Sequence, residues 1–202
     1  MGSEVKKFMA ATALSRPVYT EFWIRPDVNE EYTLDDKLLY VYLITNRHFE
    51  QHAIYQLSKK IMMMELNMPE ERFKQAFDNL ENKFKVIKYS TETGEVAILD
   101  YLKYGVISKG AALTKLYDNL GKKVEDLELL KAVYDCSAKL LDNRPEIKYA
   151  RDRMKELLDL ASDTKQEIYI VGQIYPSMAG QKTDDGYFDK DGVYCQFTEI
   201  PF

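Results

Sequence analysis

A capped, strongly apolar helix beginning at Thr33, an apolar stripe at helical spacing from Phe73 to Phe84, and two β-rich runs around a turn ending in Gly94 predict one fold class. It is mainly α with a small β-wing, a winged helix-turn-helix, followed by a helical region. The expected divisions are an N-terminal arm at 1–17, a winged helix-turn-helix domain at 18–104, a helical region at 105–161 and an acidic tail at 162–202.

Each element has a local reason. Val18 to Ile24 is aromatic and β-branched and reads as a short strand or packed extended segment, stopped at Arg25-Pro26-Asp27. Thr33 offers a hydroxyl to the start of a helix, and Asp36 can reach back to close a capping box. The run Lys37 to Thr45 is apolar on most faces, which places that helix centrally in its core. Thr45 to Gln51 is polar and reads as a loop. Ala53 to Leu57 reads as a brief strand, and Ser58 caps a second helix, Lys59 to Leu66, with Leu57 and Met62 at staple positions. Asn67-Met68-Pro69 turns the chain into a third helix, with Pro69 at its first position and Glu70 and Glu71 in its first turn. Phe73, Ala76, Phe77, Leu80 and Phe84 form its apolar stripe. Val86–Ser90 and Glu95–Leu99 around Thr91-Glu92-Thr93-Gly94 read as a hairpin. Gly105 to Gly110 reads as a linker. Helices are expected over Ala111–Leu120, Val124–Leu141 and Pro145–Ala161, and the glycine-punctuated tail is mobile unless Asp189-Lys190-Asp191-Gly192 turns a hairpin.

Composition bounds the function. Hydrophobic residues make up 46% of 202, enough for a core. The two cysteines, Cys136 and Cys195, have neither zinc spacing nor a disulfide framework, so a reducing, cytoplasmic location is expected. No apolar run reaches the roughly 18 residues of a membrane helix, and Phe8 to Leu14 is at the short limit for a signal peptide. Net charge is −5, which argues against a generally basic DNA binder. Much of the acidity sits in the tail, which holds seven acidic and three basic residues, whereas Ile54 to Tyr89 holds seven basic and five acidic. No phosphate loop, nucleophile elbow, paired-carboxylate or dinucleotide motif is present, so no catalytic residue, cofactor or enzyme activity is expected. His48 and His52 lie in a loop and HFEQH lacks the HExxH pattern, so no metal site is expected. Met62, Met63 and Met64 read as packing between helices, and Cys136 as a buried thiol.

The third helix is the candidate recognition helix. Its stripe turns Glu71, Gln75, Asp78 and Asn82 outward, flanked by Arg72, Lys74, Asn79 and Lys85. Glutamine and asparagine pair with adenine in the major groove, and arginine with guanine. Lys59, Lys60, Lys83, Lys85 and Lys88 are candidate phosphate clamps. Thr91 and Thr93 at the wing tip are candidate contacts to backbone or minor groove. The plain alternative is a solvated face on which Glu71 and Asp78 repel phosphate.

Glu21-Phe22-Trp23, then Lys37 to His48 (KLLYVYLITNRH), then Ile54-Tyr55-Gln56-Leu57-Ser58, then Leu80-Glu81 and Ile87-Lys88-Tyr89 resemble phage replisome organiser proteins. These are replication initiators of phages and prophages of Gram-positive bacteria, with an N-terminal winged helix related to that of DnaD. The resemblance covers roughly Val18 to Tyr104, with a looser echo through Val124 to Ala138. It implies a non-catalytic protein that binds double-stranded origin DNA, forms a homo-oligomer and recruits replisome components such as a helicase loader. Ala53 stands where the family usually has Gly. The part after Tyr104 does not match the second DnaD domain, whose motif holds a tryptophan, whereas the single Trp here is Trp23. The alternatives are a winged helix used for oligomerisation or protein interaction, and a prophage transcriptional regulator.

Overall fold

A computed structural model of the protein describes the backbone of residues 16–105, 109–141, 144–171, 186–188 and 194–196, with side chains up to residue 162. Residues 1–15 of the expected arm, the linker centre (106–108) and most of the acidic tail lie outside the described residues. The chain forms two compact units, Met1–Lys155 and Glu156–Phe202. In the second, Gly186–Phe188 pairs antiparallel with Tyr194–Gln196, flanking the turn expected at Asp189-Gly192, which itself lies outside the described residues.

The first unit is mainly helical with a small three-stranded antiparallel sheet. After a 3-10 turn, Thr20–Ile24, come α1 (Pro26–Glu30), α2 (Leu34–Thr45), β1 (Ile54–Gln56), α3 (Lys59–Leu66) and α4 (Glu70–Asp78), which runs into a π-helical turn, Asn79–Lys83. Then follow β2 (Ile87–Tyr89), β3 (Glu95–Ile98), α5 (Tyr101–Tyr104), α6 (Ala111–Asp118), α7 (Leu120–Lys123) and α8 (Leu127–Ala138); α9 (Pro145–Val171) begins in this unit and continues past Lys155 into the second. The strand order is β1-β3-β2, with Tyr55 opposite Val96 and Tyr89 opposite Val96 on the other side.

Local chemistry sets the starts of the helices. The Thr33 hydroxyl accepts from the Asp36 N–H at 3.2 Å, and Asp36 accepts from the Thr33 N–H at 2.8 Å, closing the capping box. Ser58 accepts from Ile61 N–H at the start of α3, and Leu57 and Met62 are both buried. Asn67 ends α3 in the left-handed region at φ 48°. Pro69 occupies the cap position of α4, one residue earlier than expected.

Two expectations are corrected. Val18 to Ile24 is no strand: Thr20–Ile24 winds into a 3-10 turn, and Phe22 stacks on Tyr40 at 5.4 Å. The segment does end at Ile24, as Arg25-Pro26-Asp27 requires, and Pro26 then opens α1 at its first position, where the missing N–H costs nothing. The third helix does not keep one pitch to Phe84. The Phe84 N–H bonds the Asn79 carbonyl at 2.8 Å, and this wider turn stacks Phe84 on Tyr32 at 4.1 Å. In addition, α2 buries Leu39, Tyr40 and Leu43 but leaves Leu34 83% and Leu38 48% exposed, so it is central on one side only. Met62 is buried as expected, Met63 is half-buried and Met64 is exposed.

The sheet is covered on both faces. Tyr55, Val96 and Ile98 join Leu39, Leu43, Phe73, Phe77 and Leu80 in the core under α2 and α4. Ile54 and Ala97 pair on the opposite face and are equally buried, on the side where α8 packs against β2 and β3. Ala53, fully buried before β1, has φ 69°. The left-handed region costs a residue bearing a Cβ about 1–2 kcal/mol, which gives glycine a physical advantage at this position. Ala53→Gly is therefore expected to hold stability within about 1 kcal/mol, because relief of strain offsets the lost methyl. Ala53→Val is expected to cost about 3 kcal/mol in denaturant unfolding, since it adds β-branching and volume to a strained, filled position.

Candidate nucleic-acid interface

The stripe of α4 does what its spacing requires: Phe73, Ala76, Phe77 and Leu80 are buried. Glu70, Glu71, Arg72, Lys74, Gln75 and Asp78 are left on the outer face. Tertiary structure then gives most of the candidate residues partners. Arg72 forks onto Asp35 of α2, with Nε to Oδ2 at 2.8 Å and Nη2 to Oδ1 at 2.5 Å. Hydrogen bonding to that guanidinium holds the Asp35 carboxyl below its usual range. Lys74 lies 2.6 Å from Glu70, one turn back, which lowers the Glu70 carboxyl in the same way. Lys83 lies 3.5 Å from Glu31 and 4.5 Å from the Phe84 ring centre. The Asn82 amide donates to Asp78 at 2.7 Å.

Asn79 is half-buried and turned inward. Its Nδ2 donates to both oxygens of Asp36, at 3.0 and 3.3 Å, and its Oδ1 accepts from Gln75 Nε2 at 3.0 Å. Asp36 is fully buried, so one carboxylate caps α2 and anchors α4. Lys59 rests over two aromatic faces, 3.9 Å from the Phe77 centre and 4.7 Å from that of Tyr89. That contact ties α3 to α4 and β2. Lys60, Lys85 and Lys88 are exposed; Lys85 follows the π turn at φ 53°. At the wing tip Thr91 is exposed, whereas the Thr93 hydroxyl donates to Glu95 at 2.9 Å. Gly94 completes the turn at φ 69°. The structure thus brings Asn79 and Gln75 together with Asp36, and leaves Lys60, Lys85, Lys88, Gln75 and Thr91 facing solvent.

Sequence reasoning missed Glu95. It is fully buried, and its carboxylate accepts from the N–H groups of Glu125 at 3.0 Å and Asp126 at 2.8 Å as well as from Thr93. Asp126 in turn caps α8 through the N–H groups of Glu128 and Leu129. Desolvation works against the Asp126 charge, but bonds from Ser90 and those two amides hold its carboxyl below the usual range. Gln56 donates to Glu125 at 3.1 Å, and Lys123 donates to Glu50 at 2.5 Å. One short stretch, Lys123 to Asp126, therefore touches all three strands or their flanks. The clue was a charged residue opening an otherwise apolar strand, but its partners lie 30 residues away.

A second missed cluster holds the start of the fold. Tyr40 donates to Asp100 at 2.7 Å, Arg25 Nη1 lies 3.5 Å from the other Asp100 oxygen, and the Arg25 guanidinium sits 4.0 Å from the Tyr104 ring centre. Burial pushes the Asp100 carboxyl up, against the opposing effects of Tyr40 and Arg25. Cys136 is half-buried, and that burial pushes its thiol up, away from reactivity. Among the described residues no group of three or more His, Cys, Asp or Glu could hold a metal ion, and no helix is long and apolar enough to cross a membrane. No protein-family model, curated protein or solved structure matches the chain.

Proposed function

We propose that this chain is a non-catalytic DNA-binding protein of phage or prophage replication initiation, whose winged helix engages duplex DNA and whose helical region recruits a replisome component such as a helicase loader. The observation that carries this reading is the order α2, β1, α3, turn, α4, hairpin, with α4 presenting a polar outer face and the hairpin beside it. In this reading α4 enters the major groove, the β2–β3 hairpin is the wing, and Lys60, Lys85 and Lys88 bind phosphates. The resemblance of Val18 to Tyr104 to phage replisome organisers supplies the replication context.

A titration of the purified protein against duplex from its own genomic neighbourhood and against a scrambled duplex, at two salt concentrations, tests the reading. Preference for the native duplex is expected, with affinity falling as salt rises. Lys60→Ala and Lys88→Ala are each expected to weaken both duplexes alike and to reduce the salt slope by about one.

A second reading, a winged helix used for assembly, is favoured by a specific observation: Arg72 and Lys74 of α4 and Lys83 of the π turn after it each face a carboxylate, so this stretch has little charge to offer phosphate. Absence of duplex binding at low salt, together with self-association in sedimentation, would select it.

A further inference from the structure

The geometry points to Gln75 as the residue of α4 that reads a base, with adenine as its target, and to Asn79 and Asp36 as the residues that aim it; this rests on the DNA-binding reading above. The argument starts from Asp36. Both of its carboxyl oxygens act as acceptors. Asp36 takes the Thr33 N–H at 2.8 Å, so the Asn79 atom facing it must be the amide nitrogen, as the 3.0 and 3.3 Å contacts show. The Asn79 carbonyl oxygen is thereby turned toward Gln75. Gln75 must then present its own nitrogen to it, at 3.0 Å. The relay fixes which way round the Gln75 amide sits. One N–H is spent on Asn79; Gln75 is exposed, and its second N–H and its carbonyl oxygen make no hydrogen bond among the described residues.

That remaining pair is one donor and one acceptor on a planar group. Adenine offers the complement on its major-groove edge, an acceptor at N7 and a donor at N6. The other candidates are spoken for. Arg72 is forked onto Asp35, Lys74 faces Glu70, Asn82 is bonded to Asp78, and Asn79 is half-buried on Asp36. Glu71 and Asp78 flank Gln75 on the outer face, where they disfavour phosphate and leave base edges as the better partner for this helix. Ordering the Gln75 rotamer in the free protein removes an entropy cost from binding.

The experiment is selection of bound duplexes from a randomised pool by the full chain, read by sequencing, for the native protein and for Gln75→Ala, Gln75→Glu and Asn79→Ala, each checked for native thermal unfolding. The native chain is expected to enrich a motif with adenine at a defined position. Gln75→Ala is expected to lose roughly ten- to hundred-fold discrimination at that position and none elsewhere. Gln75→Glu, which only accepts, is expected to move the preference there from adenine to cytosine. Asn79→Ala keeps the reader but frees it, so the same position is expected to lose part of its preference while the others hold. A purely structural Asn79 would lower stability and affinity at all positions evenly. A motif that Gln75→Ala leaves unchanged at every position overturns the assignment while DNA binding stands. Enrichment of nothing, with no duplex retained at low salt, overturns the DNA-binding reading and this inference with it.

Discussion

Glu95→Ala is expected to lower the unfolding free energy by about 3 kcal/mol. The carboxylate is fully buried and accepts three hydrogen bonds, two from backbone N–H groups leading into α8 and one from Thr93. Bonds to a charged acceptor contribute about 1.5–3 kcal/mol each, and a donor left without a partner adds its desolvation. Partial access of water at Glu125 and Asp126 keeps the sum below the full total. Glu95→Gln keeps the shape and one acceptor but sets an amide hydrogen against a donor, so about half the loss is expected. Urea unfolding at neutral pH gives both values. Amide exchange locates the effect, with lost protection expected at Glu125, Asp126 and the first turn of α8 as well as in the hairpin. A loss under about 1 kcal/mol would mean that α8 holds to the sheet by apolar packing alone.

Acidification is expected to destabilise the protein through His52. The residue is 1% exposed, and neither ring nitrogen has a hydrogen-bond partner among the described residues. Burial pushes its pKa down to about 4; nearby Glu50 opposes this and Lys123 adds to it. In the unfolded chain the same group takes a proton near 6.5. The folded pKa is the lower of the two, so between these values the unfolded state binds the extra proton. Stability attached to His52 is therefore whole above about pH 6.5 and drains away as pH falls toward 4. From pH 7 to 4.5 the loss amounts to roughly 2–3 kcal/mol. His52→Leu removes the titrating group and its two unpaired nitrogens, and is expected to be within about 1 kcal/mol of the native chain at pH 7. Denaturant unfolding of both chains at the two pH values isolates the effect from carboxylates common to both. Parallel losses in the two chains would show that His52 takes up its proton without disrupting its site.

Elements fixed by near neighbours were legible. The capping box of Thr33 and Asp36 spans three residues, Ser58 and Ile61 another three, and the stripe Phe73, Ala76, Phe77, Leu80 repeats over two turns. Such patterns are local, and the backbone satisfies them wherever the helix is finally packed. The hairpin was legible for the same reason, with Gly94 supplying the left-handed residue its turn needs. Less legible were segments whose form depends on what they lie against. Thr20–Ile24 has strand-like residues but found Tyr40 in place of a strand, and the π turn at Asn79–Lys83 serves the stacking of Phe84 on Tyr32.

The sequence by itself determined the order of elements from Thr33 to Leu99, the caps at Thr33 and Ser58, the apolar face of α4 and the absence of familiar catalytic motifs. The tertiary structure decided which charges remain free to act. Arg72 and Asp35 are 37 residues apart, Asn79 and Asp36 are 43 apart, and Glu95 and Asp126 are 31 apart. The physical reason is that a helical or strand period records which face is buried. The partner of a charged side chain is set by the relative placement of two elements, and a one-dimensional pattern carries no trace of it.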